Sequence, residues 1–342
     1  MNEIGVTVYC LAYNHEKYIG TCLNSLVNQK VDFMYKVIVH DDASTDGTRR
    51  IIEEYVEKYP DIIVPIYQNE NQYSKRLGIT KRFIAPLVKS KYVAVCEGDD
   101  YWSSFDKLQK QYDAMEANPQ CGMCIHRTKE ITESGEDTGI EYPQQTFETG
   151  ILSAEDLFDS LEPRLAHTSS YFFRADYWLE YMYNPPKYKI ACVVGDVPYL
   201  LYFGSKYSIY QINEFLSCYR RGVQSSWSNK RMEVNEARLL RLHTSYVETY
   251  RLFDEDTEQK YHWICRRRIS KNLFAKCALS SSFKELLSKE NKDYYTELPA
   301  AKKVFARLGL LFPKLVKKIY IDHLHKIERK ERARWTGNEA KR

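Results

Sequence analysis

Three carboxylates, Glu97, Asp99 and Asp100, end the apolar segment YVAVCEGDDYW at residues 92–102. Like charges about 4 Å apart repel by roughly 1 kcal/mol in water and by about 4 kcal/mol near a protein surface, so a cation is expected between them. Asp99 and Asp100 offer the hard oxygen ligands that suit Mg²⁺ or Mn²⁺. The alternative is a solvated turn, because Asp and Gly both tolerate turn backbone.

Two more polar groups follow apolar segments. Asp41 and Asp42 come after KVIVH, and Tyr13 and Asn14 come after VTVYCLA. A carboxylate at a strand end can accept hydrogen bonds from the N–H of a base or from a ribose hydroxyl, while Tyr13 could stack on a base and Asn14 could position the loop. The alternatives are helix capping for the acids, which fits 44–46 better, and core packing for Tyr13.

The elements around these groups alternate between strand and helix patterns. VTVYCLA, KVIVH, IIVPIY and YVAVCE predict strands, and the first is followed by apolar residues at helical spacing, namely Ile19, Cys22, Leu23, Leu26 and Val27. Strands joined by crossover helices predict a Rossmann-like α/β fold with a mostly parallel sheet flanked by helices. Such sheets bind ligands at the carboxyl ends of their strands, which is where the polar groups lie. No G-x-G-x-x-G or G-x-x-x-x-G-K-[ST] motif is present, which argues against a Rossmann dehydrogenase or a P-loop NTPase.

The rest of the chain divides into three stretches. Residues 132–150 are polar and predict a loop, and strand and helix patterns follow it. From about Ser226 onward the periodicity is mainly helical. We therefore predict one domain over 1–227, with halves at 1–130 and 131–227, and a helical appendage over 228–342.

Charge is concentrated at the end of the sequence. The 342 residues carry a net charge of only +4, which does not indicate a nucleic-acid partner, but residues 302–342 contain thirteen Lys or Arg and four Asp or Glu. These residues also mix apolar and basic side chains at helical spacing, which predicts a helix lying on an anionic membrane surface. The alternative is a helical bundle packed on the main domain.

The expected location is cytoplasmic. The first residues do not have the pattern of a signal peptide, and no apolar run approaches 18 residues. The nine cysteines have no framework spacing, which is typical of free thiols in a reducing compartment.

Three ordered segments resemble one known family. VYCLAYNHEKYIGTCLNSLVNQ, VIVHDDASTDGT and VCEGDDYWSSFDKLQKQ are similar to the nucleotide-sugar domain of glycosyltransferase family 2, which has the GT-A fold. The resemblance covers roughly residues 4–227 and is strongest to bacterial enzymes of capsular, exopolysaccharide or lipopolysaccharide synthesis, in which EGDDYW followed by KLQ is a recognisable run.

The resemblance implies roles for the residues at the strand ends. Tyr13 and Asp42 would contact the base of the donor, and Asp41 or its surroundings the ribose. Asp99 and Asp100 would form the acidic metal motif, with Asp100 the more direct ligand.

The resemblance also implies roles for residues in the second half. Asp196 in VVGDVPYLLYF would be the general base, and its apolar flanks would partly remove it from water and strengthen it as a base. From the residues alone, a helix cap before Pro198 is the alternative. The acceptor pocket would be lined by His167, Thr168, the adjacent Ser169 and Trp102; a buried, hydrogen-bonded histidine is the alternative for His167.

A departure from the family pattern follows Arg220 and Arg221. These arginines would lie near the donor diphosphate, but Gly222 stands where a histidine is expected, which puts any histidine contribution to the metal site in doubt. Arginine charge could replace that contribution.

Together these features imply a metal-dependent hexosyltransferase. It would move a sugar, with inversion, from a nucleotide-sugar donor to a hydroxyl of a saccharide or lipid-linked saccharide in surface polysaccharide synthesis. Family precedent favours a UDP-sugar as the donor. The main alternative is a transferase-like module that binds a sugar nucleotide or a partner without turnover, because Gly222 departs from the pattern. A receiver-like phosphoacceptor domain and a nucleotidyltransferase fit less well.

Overall fold

The computed structural model describes residues 4–75, 78–160, 165–223 and 234–335. The chain forms two compact units, the first Met1–Pro185 with Tyr202–Ser226 and the second Pro186–Leu201 with Trp227–Arg342. Residues 186–201, which the sequence assigned to the first domain, group with the second unit. The predicted junction at 227/228 and the last residues of the basic tail, 336–342, lie outside the described residues.

Four parallel strands form one half of the sheet in the first unit. They are β1 (Ile4–Ala12), β2 (Met34–Asp41), β3 (Ile63–Tyr67) and β4 (Tyr92–Glu97), in the order β3-β2-β1-β4. The helices that accompany them are α1 (Ile19–Val27), α2 (Thr48–Lys58) and α3 (Lys107–Ala117). Because the interior strands are covered on both faces, they read as nearly continuous apolar runs, as the sequence predicted.

The other half of the sheet is mixed. It contains β5 (Tyr101–Trp102), β6 (Cys121–Ile131), β7 (Asp137–Tyr142), β8 (Gly150–Ile151), β9 (Phe172–Arg174) and β10 (Ser208–Arg220). The main order continues as β4-β9-β6-β10-β5, and β9 pairs antiparallel with both of its neighbours. The sheet as a whole is therefore mixed, although its first half is parallel.

The predicted loop at 132–150 is wrong in part, because β7 lies within it and β8 begins at its last residue. β7 pairs antiparallel with β6, and β8 pairs antiparallel with β10. Most residues of both strands are at least partly exposed. A strand without a buried face needs no alternation of apolar and polar residues, so neither segment shows that pattern in the sequence. Pairing with a longer neighbouring strand stabilises them, and a single-segment pattern does not reveal such pairing.

Helices make up the remaining regular structure. They are α4 (Ala154–Asp159), α5 (Ala175–Tyr183), α6 (Lys187–Ala191), α7 (Asp196–Lys206), α8 (Glu236–Asp256), α9 (His262–Ser280), α10 (Phe283–Leu286), α11 (Lys292–Glu297), α12 (Ala300–Leu311) and α13 (Pro313–Trp335), with short helices at Thr80–Ile84, Ala85–Leu87, Thr168–Ser170 and Lys289–Asn291. The predicted helical region is thus confirmed over residues 234–335. Within the described residues, no helix combines the length and apolar content needed to cross a bilayer.

Candidate active site

The three acids at the end of β4 lie close together. One carboxylate oxygen from each of Glu97, Asp99 and Asp100 lies within 4.8 Å of the other two. Asp99 and Asp100 are buried, whereas Glu97 is partly exposed. The solvated turn considered from the sequence is therefore wrong for the two aspartates, and the structure brings together the carboxylates that were predicted to share a cation.

Asp100 has one oxygen that is satisfied and one that is not. Its Oδ1 accepts a hydrogen bond of 2.8 Å from the backbone N–H of Arg220. Its Oδ2 is buried and accepts no hydrogen bond from any described residue. Burial raises the pKa of Asp100 well above its ordinary value, and the negative charge of Asp99 raises it further. Buried polar atoms normally have partners, so an unpartnered oxygen among three acids indicates a position for a cation.

Two histidines flank the acidic group. His15 Nε2 lies 3.9 Å from Asp99 Oδ2, and His167 Nδ1 lies 3.7 Å from Asp100 Oδ2. His167 Nδ1 accepts from the Ser169 N–H at 3.3 Å, which leaves the proton of a neutral ring on Nε2. For the metal site, the sequence analysis considered a histidine only at position 222; it assigned His167 to the acceptor pocket and missed His15. Its position directly after Asn14, in the loop that leaves β1, was the signal that could have identified it.

Gly98 allows the loops after β1 and β4 to approach each other. A Cβ atom at this position would lie 2.7 Å from His15 Nδ1 and 3.2 Å from the Leu11 carbonyl oxygen. The Gly98 N–H also donates to that carbonyl at 2.9 Å. The glycine between Glu97 and Asp99 is therefore required by the close approach of two strand ends.

Arg220 holds a neighbouring loop against the acidic group. Its guanidinium donates to the backbone carbonyls of Asp99 at 3.1 Å and Glu133 at 2.8 Å. The same guanidinium lies 5.0 Å from the centre of the Tyr18 ring, and the Tyr18 hydroxyl donates to Glu133 Oε1 at 2.6 Å. Arg220 thus places a positive charge beside Asp99 while its N–H groups bind the backbone. Its predicted contact with a diphosphate stays a prediction.

Arg221 takes part in a separate buried network. Its Nε lies 3.3 Å from Glu130 Oε2, and its guanidinium donates to the Tyr219 hydroxyl at 2.9 Å. The Tyr142 hydroxyl donates to the same Glu130 oxygen at 2.6 Å. The Tyr219 ring stacks on His167 with 3.9 Å between ring centres. In this structure Arg221 therefore supports His167 through Tyr219, and its diphosphate contact also stays a prediction.

The two carboxylates of the acidic pair at the end of β2, Asp41 and Asp42, have different hydrogen-bond partners. Asp42 accepts from the backbone N–H groups of Gln72 at 2.7 Å and Tyr73 at 3.0 Å, one on each carboxylate oxygen. Asp41 Oδ1 accepts from Ser44, whereas Asp41 Oδ2 is buried and accepts from no described residue. The structure thus uses Asp42 to hold the chain after β3 and leaves a free acceptor on Asp41. The base contact that the resemblance implied for Asp42 and the ribose contact implied for Asp41 stay predictions.

The loop after β1 is tied to the loop after β2. The Asn14 backbone, at φ +55°, donates to Ser44 Oγ at 3.0 Å, and Asn14 Oδ1 accepts from the Thr45 N–H at 2.8 Å. Asn14 therefore positions the loop, as predicted from the sequence. Tyr13 is 38% exposed, so the core-packing alternative is wrong and its ring is open to a ligand.

The capping predicted for residues 44–46 takes another form. The residue before α2 is Gly47, which makes no side-chain cap, and Ser44 instead bonds to Asp41. Asp46 Oδ1 accepts from the N–H of Thr48, the first residue of the helix, at 3.0 Å. The side chains expected to cap the helix therefore mostly fix the loops at the strand ends.

Asp196 is the first residue of α7 and is partly exposed. Its Oδ1 accepts from the Val197 N–H at 3.1 Å, so the helix start read from the sequence is present. Asp196 belongs to the second unit, while the acidic group after β4 belongs to the first. The general-base role stays a prediction.

The residues predicted to line the acceptor pocket differ in exposure. His167 is buried beside Asp100, and Thr168 is partly exposed in a short helical turn. Trp102 is only 2% exposed, its indole N–H donates to the Ser169 carbonyl at 3.0 Å, and the Lys107 ammonium lies 3.7 Å from its ring centre. Trp102 therefore packs in the core, and an acceptor contact for its side chain is not supported.

Comparisons with known proteins agree with this geometry. Residues 7–175 match the model of the family described as Glycosyl transferase family 2. An uncharacterized protein of Mycobacterium tuberculosis is 36% identical over 132 residues, which cover 38% of this chain and 37% of the relative. The putative teichuronic acid biosynthesis glycosyltransferase TuaG of Bacillus subtilis is 34% identical over 110 residues, covering 32% of this chain and 41% of the relative. These matches thus span about two fifths of the relatives' length.

The solved structures extend the comparison to most of the chain. The crystal structure of Staphylococcus aureus TarS 1-349 in complex with UDP-GlcNAc aligns with a TM-score of 0.59 and 17% identity, covering 96% of this chain and 92% of TarS 1-349. At this identity the likeness concerns the fold. It confirms the predicted GT-A architecture with a helical C-terminal region.

Proposed function

Because residues 7–175 belong to glycosyl transferase family 2, we propose that the chain is a hexosyltransferase of surface polysaccharide synthesis. It transfers a sugar from a UDP-sugar to a hydroxyl of a saccharide or lipid-linked saccharide. The observation that carries the proposal is the acidic group at the end of β4, with its buried and unpartnered Asp100 Oδ2. The name of the relative TuaG, from teichuronic acid synthesis, and the UDP-GlcNAc complex of TarS support this donor and acceptor class.

Asp99 and Asp100 fit a divalent cation, either Mn²⁺ or Mg²⁺. Their carboxylate oxygens are close enough to share one ion, and Asp100 Oδ2 accepts no hydrogen bond from a described residue. When bound, the cation would neutralise the charge that develops on the departing diphosphate. Arg220 adds a fixed positive charge beside Asp99, which limits the repulsion among the three acids.

Asp41 and Tyr13 are suited to bind the nucleoside of the donor. Asp41 Oδ2 would accept a hydrogen bond from the base N–H or a ribose hydroxyl, since it is buried and otherwise unpartnered. Tyr13 would stack on the base, because its ring is exposed at the end of β1. Asn14 and Asp42 would act indirectly, by holding the loops that carry these two side chains.

The transfer step requires one base. Asp196 would take the proton from the acceptor hydroxyl, whose oxygen forms a bond to the anomeric carbon while the bond from that carbon to the diphosphate breaks. Attack from the face opposite the nucleotide inverts the configuration. His167 and Thr168 would line the acceptor pocket. General-base assistance of this kind contributes on the order of 10²–10⁴-fold, and the positioning of both substrates supplies much of the rest.

We place this reaction in the cytoplasm, at the inner face of the membrane. The nine cysteines are all free and eight of them are buried, which is typical of a reducing compartment. A lipid-linked acceptor would be found at the membrane surface.

The test combines donor binding with donor turnover. We expect UDP-sugars to raise the melting temperature of the full chain only when Mn²⁺ is present, and Mn²⁺-dependent hydrolysis of one of them to be lost in Asp100→Ala and in Asp196→Ala. Asp113→Asn, which removes an exposed acid on α3, is the matched control and should keep both properties. Stabilisation by donors that persists in EDTA would overturn the metal site.

The same assay distinguishes a glycosyltransferase from a module that binds the donor without turnover. The observation behind that alternative is Gly222, which has φ +86° where the family resemblance led us to expect a histidine. Tight donor binding with neither hydrolysis nor transfer to any saccharide acceptor would favour the module. Hydrolysis that depends on Asp100 would exclude it.

A further inference from the structure

Helices α12 and α13 each pack through one face on other helices of the second unit. On α12, Ala306 and Gly309 are buried, and a Cβ atom at Gly309 would lie 2.3 Å from the Phe283 ring. On α13, Val316 is buried, and the Tyr320 ring lies edge-on to Phe274 with 6.1 Å between ring centres. The inner sides of both helices are therefore occupied.

Other apolar side chains of the two helices face solvent. On α12 they lie opposite the buried Ala306 and Gly309, and on α13 they lie between the buried Val316 and the exposed lysines. We call this exposed apolar set the outer face, and it consists of Val304, Leu308, Leu311, Phe312, Leu315 and Ile319, which are between 45% and 72% exposed. Residues 304, 308 and 311 follow helical spacing, so their side chains lie on one stripe of α12. A helix that is apolar on both sides is normally buried, and a contiguous exposed apolar patch of this kind marks a docking surface.

The charge around the outer face indicates what docks there. Residues 302–319 contain six Lys or Arg and no Asp or Glu. Some of these cations are engaged within the unit, since Lys303 Nζ donates to the Thr296 carbonyl at 2.7 Å and Lys317 Nζ lies 2.7 Å from Glu236 Oε2. Lys314 and Lys318 are exposed and alternate with Leu315 and Ile319 along the start of α13. The partner must therefore accept both aliphatic side chains and positive charge.

We propose that the outer face docks on an anionic lipid bilayer, with Leu308, Leu311, Phe312 and Leu315 inserted between lipid headgroups and Lys314 and Lys318 on the phosphates. An amphipathic helix in this position buries its apolar side about 5–10 Å deep, and each nearby lysine adds electrostatic attraction to anionic lipid. A second copy of the chain fits less well, because it would bring the exposed Lys314 and Lys318 of both copies together. The aliphatic side chains exposed at the centre of the patch do not fit a nucleic acid.

The proposal is tested by co-sedimentation of the full chain with lipid vesicles, without donor or metal. The neutral vesicles are pure phosphatidylcholine. The anionic vesicles are phosphatidylcholine with about 30% phosphatidylglycerol, whose negative charge attracts lysine side chains. We expect binding to the anionic vesicles at least tenfold tighter than to the neutral ones. Leu311→Ser with Phe312→Ser, and separately Lys314→Glu with Lys318→Glu, should each weaken that binding at least tenfold.

The control variants make the same kinds of substitution, apolar to Ser and Lys to Glu, at exposed positions away from the outer face. Ile190→Ser removes another exposed apolar side chain of the second unit, and Lys289→Glu with Lys292→Glu makes the same charge change elsewhere on that unit. Both controls should bind anionic vesicles within twofold of the unaltered chain. Equal losses in the controls would overturn the proposal, as would failure of the unaltered chain to bind anionic vesicles.

Two further measurements keep the result interpretable. Melting temperatures of the outer-face variants within a few degrees of the unaltered chain establish that they fold, because they replace exposed side chains. Self-association that is abolished by Leu311→Ser with Phe312→Ser, without vesicle binding, would replace the membrane by a second copy and overturn the proposal. Vesicle binding requires no sugar nucleotide, so its outcome is independent of whether the chain proves to be a glycosyltransferase.

Discussion

The two aspartate pairs, Asp41–Asp42 after β2 and Asp99–Asp100 after β4, have the same sequence but different surroundings. In the first pair, backbone N–H groups occupy both oxygens of Asp42, and only Asp41 Oδ2 is left without a partner. In the second pair, Asp100 receives one backbone N–H and lies against two further carboxylates. The first pair is therefore mostly satisfied by the protein, and the second is left with excess negative charge.

A doublet of acids therefore does not define a ligand site by itself. Backbone N–H groups that point at a carboxylate stabilise its charge and turn it into a structural anchor. A carboxylate that is buried among other acids remains costly until a cation arrives. We infer that the first pair mainly builds the donor pocket, whereas the second recruits the ion, and the variants below test that division.

The largest effect is expected for Asp100→Asn. Asparagine keeps the acceptor for the Arg220 N–H but carries no charge, so it should abolish the cation site while leaving the loop in place. We expect the rate of sugar transfer to fall about 10³-fold or more, equivalent to about 4 kcal/mol of transition-state stabilisation. The Mn²⁺-dependent rise in melting temperature with a UDP-sugar should disappear.

The same variant makes a second, opposite prediction about the protein without ligands. Because burial and Asp99 both raise the pKa of Asp100, its ionised form is unfavourable in the folded state. Asp100→Asn should therefore leave the melting temperature of the metal-free chain unchanged or raise it. A lower melting temperature together with lost activity would mean that Asp100 is a structural residue, and the contrast between the pairs would fail.

The next effect separates the members of the first pair. Asp42→Ala removes acceptors from two backbone N–H groups, and we expect the free energy of unfolding to fall by about 2–3 kcal/mol, since hydrogen bonds to charged groups are the stronger ones. Asp41→Asn keeps an oxygen acceptor for Ser44 and loses no backbone N–H partner, so we expect a smaller loss of about 1 kcal/mol. Urea unfolding measures both.

Binding should respond in the reverse order. Asp41→Asn replaces the free oxygen by either an amide donor or a weaker acceptor, so we expect the Kd for UDP to rise about tenfold, equivalent to about 1.4 kcal/mol. Calorimetric titration of the folded variants decides this. If Asp42→Asn weakens UDP binding more than Asp41→Asn at equal stability, the assignment implied by the family resemblance is right and ours is wrong.

The fold was predictable because parallel strands carry a strong local signal. The runs that became β1, β2 and β4 are buried on both faces and therefore read as continuous apolar segments. The rule that ligands lie at the carboxyl ends of such strands pointed to the loops after β1, β2 and β4, and these loops do meet, through the Asn14–Thr45 hydrogen bond and the approach of His15 to Asp99. The short strand β7 was missed because its stability comes from pairing with β6, and pairing is not a property of one segment.

Details of the site were less predictable, because they depend on contacts between distant segments. The role of Asp42 is set by N–H groups about 30 residues away, at Gln72 and Tyr73. The burial of Trp102 follows from its packing against Ser169 and Lys107. A sequence pattern gives the residue types at a strand end, but it does not say which oxygen the backbone already occupies.

Lys107 is a buried group of the opposite charge to the aspartates. Lys107 is fully buried, its Nζ donates to no described residue, and burial lowers its pKa to about 7. Unlike Asp100, which lies among other carboxylates, the Lys107 ammonium lies 3.7 Å from the centre of the Trp102 ring. Replacement by an apolar side chain should therefore be tolerated, since a buried charge without a partner is costly.

We expect Lys107→Met to raise the free energy of unfolding at pH 7 by about 1–2 kcal/mol, in the lower part of the range for replacing buried charges, because the cation–π contact with Trp102 is lost. Between pH 7 and about 10, the unfolded chain holds a proton on Lys107 that the folded chain has released. The stability of the unaltered protein should rise with pH in that window, and the advantage of Lys107→Met should shrink. A constant difference across the window would contradict the neutral state of the lysine.

The smallest effect is expected at Gly222, where a histidine was anticipated. Its φ of +86° disfavours any side chain, although among the described residues a Cβ atom would meet only the Glu133 Cβ, at 3.9 Å. Gly222→His should therefore lower the free energy of unfolding by about 1 kcal/mol through backbone strain, and Gly222→Ala should do the same. Because His15 and His167 already flank the acids, we expect donor turnover by both variants to stay within twofold of the unaltered chain. A several-fold gain in Gly222→His alone would instead mean that the second aspartate pair lacks a ligand which the imidazole supplies.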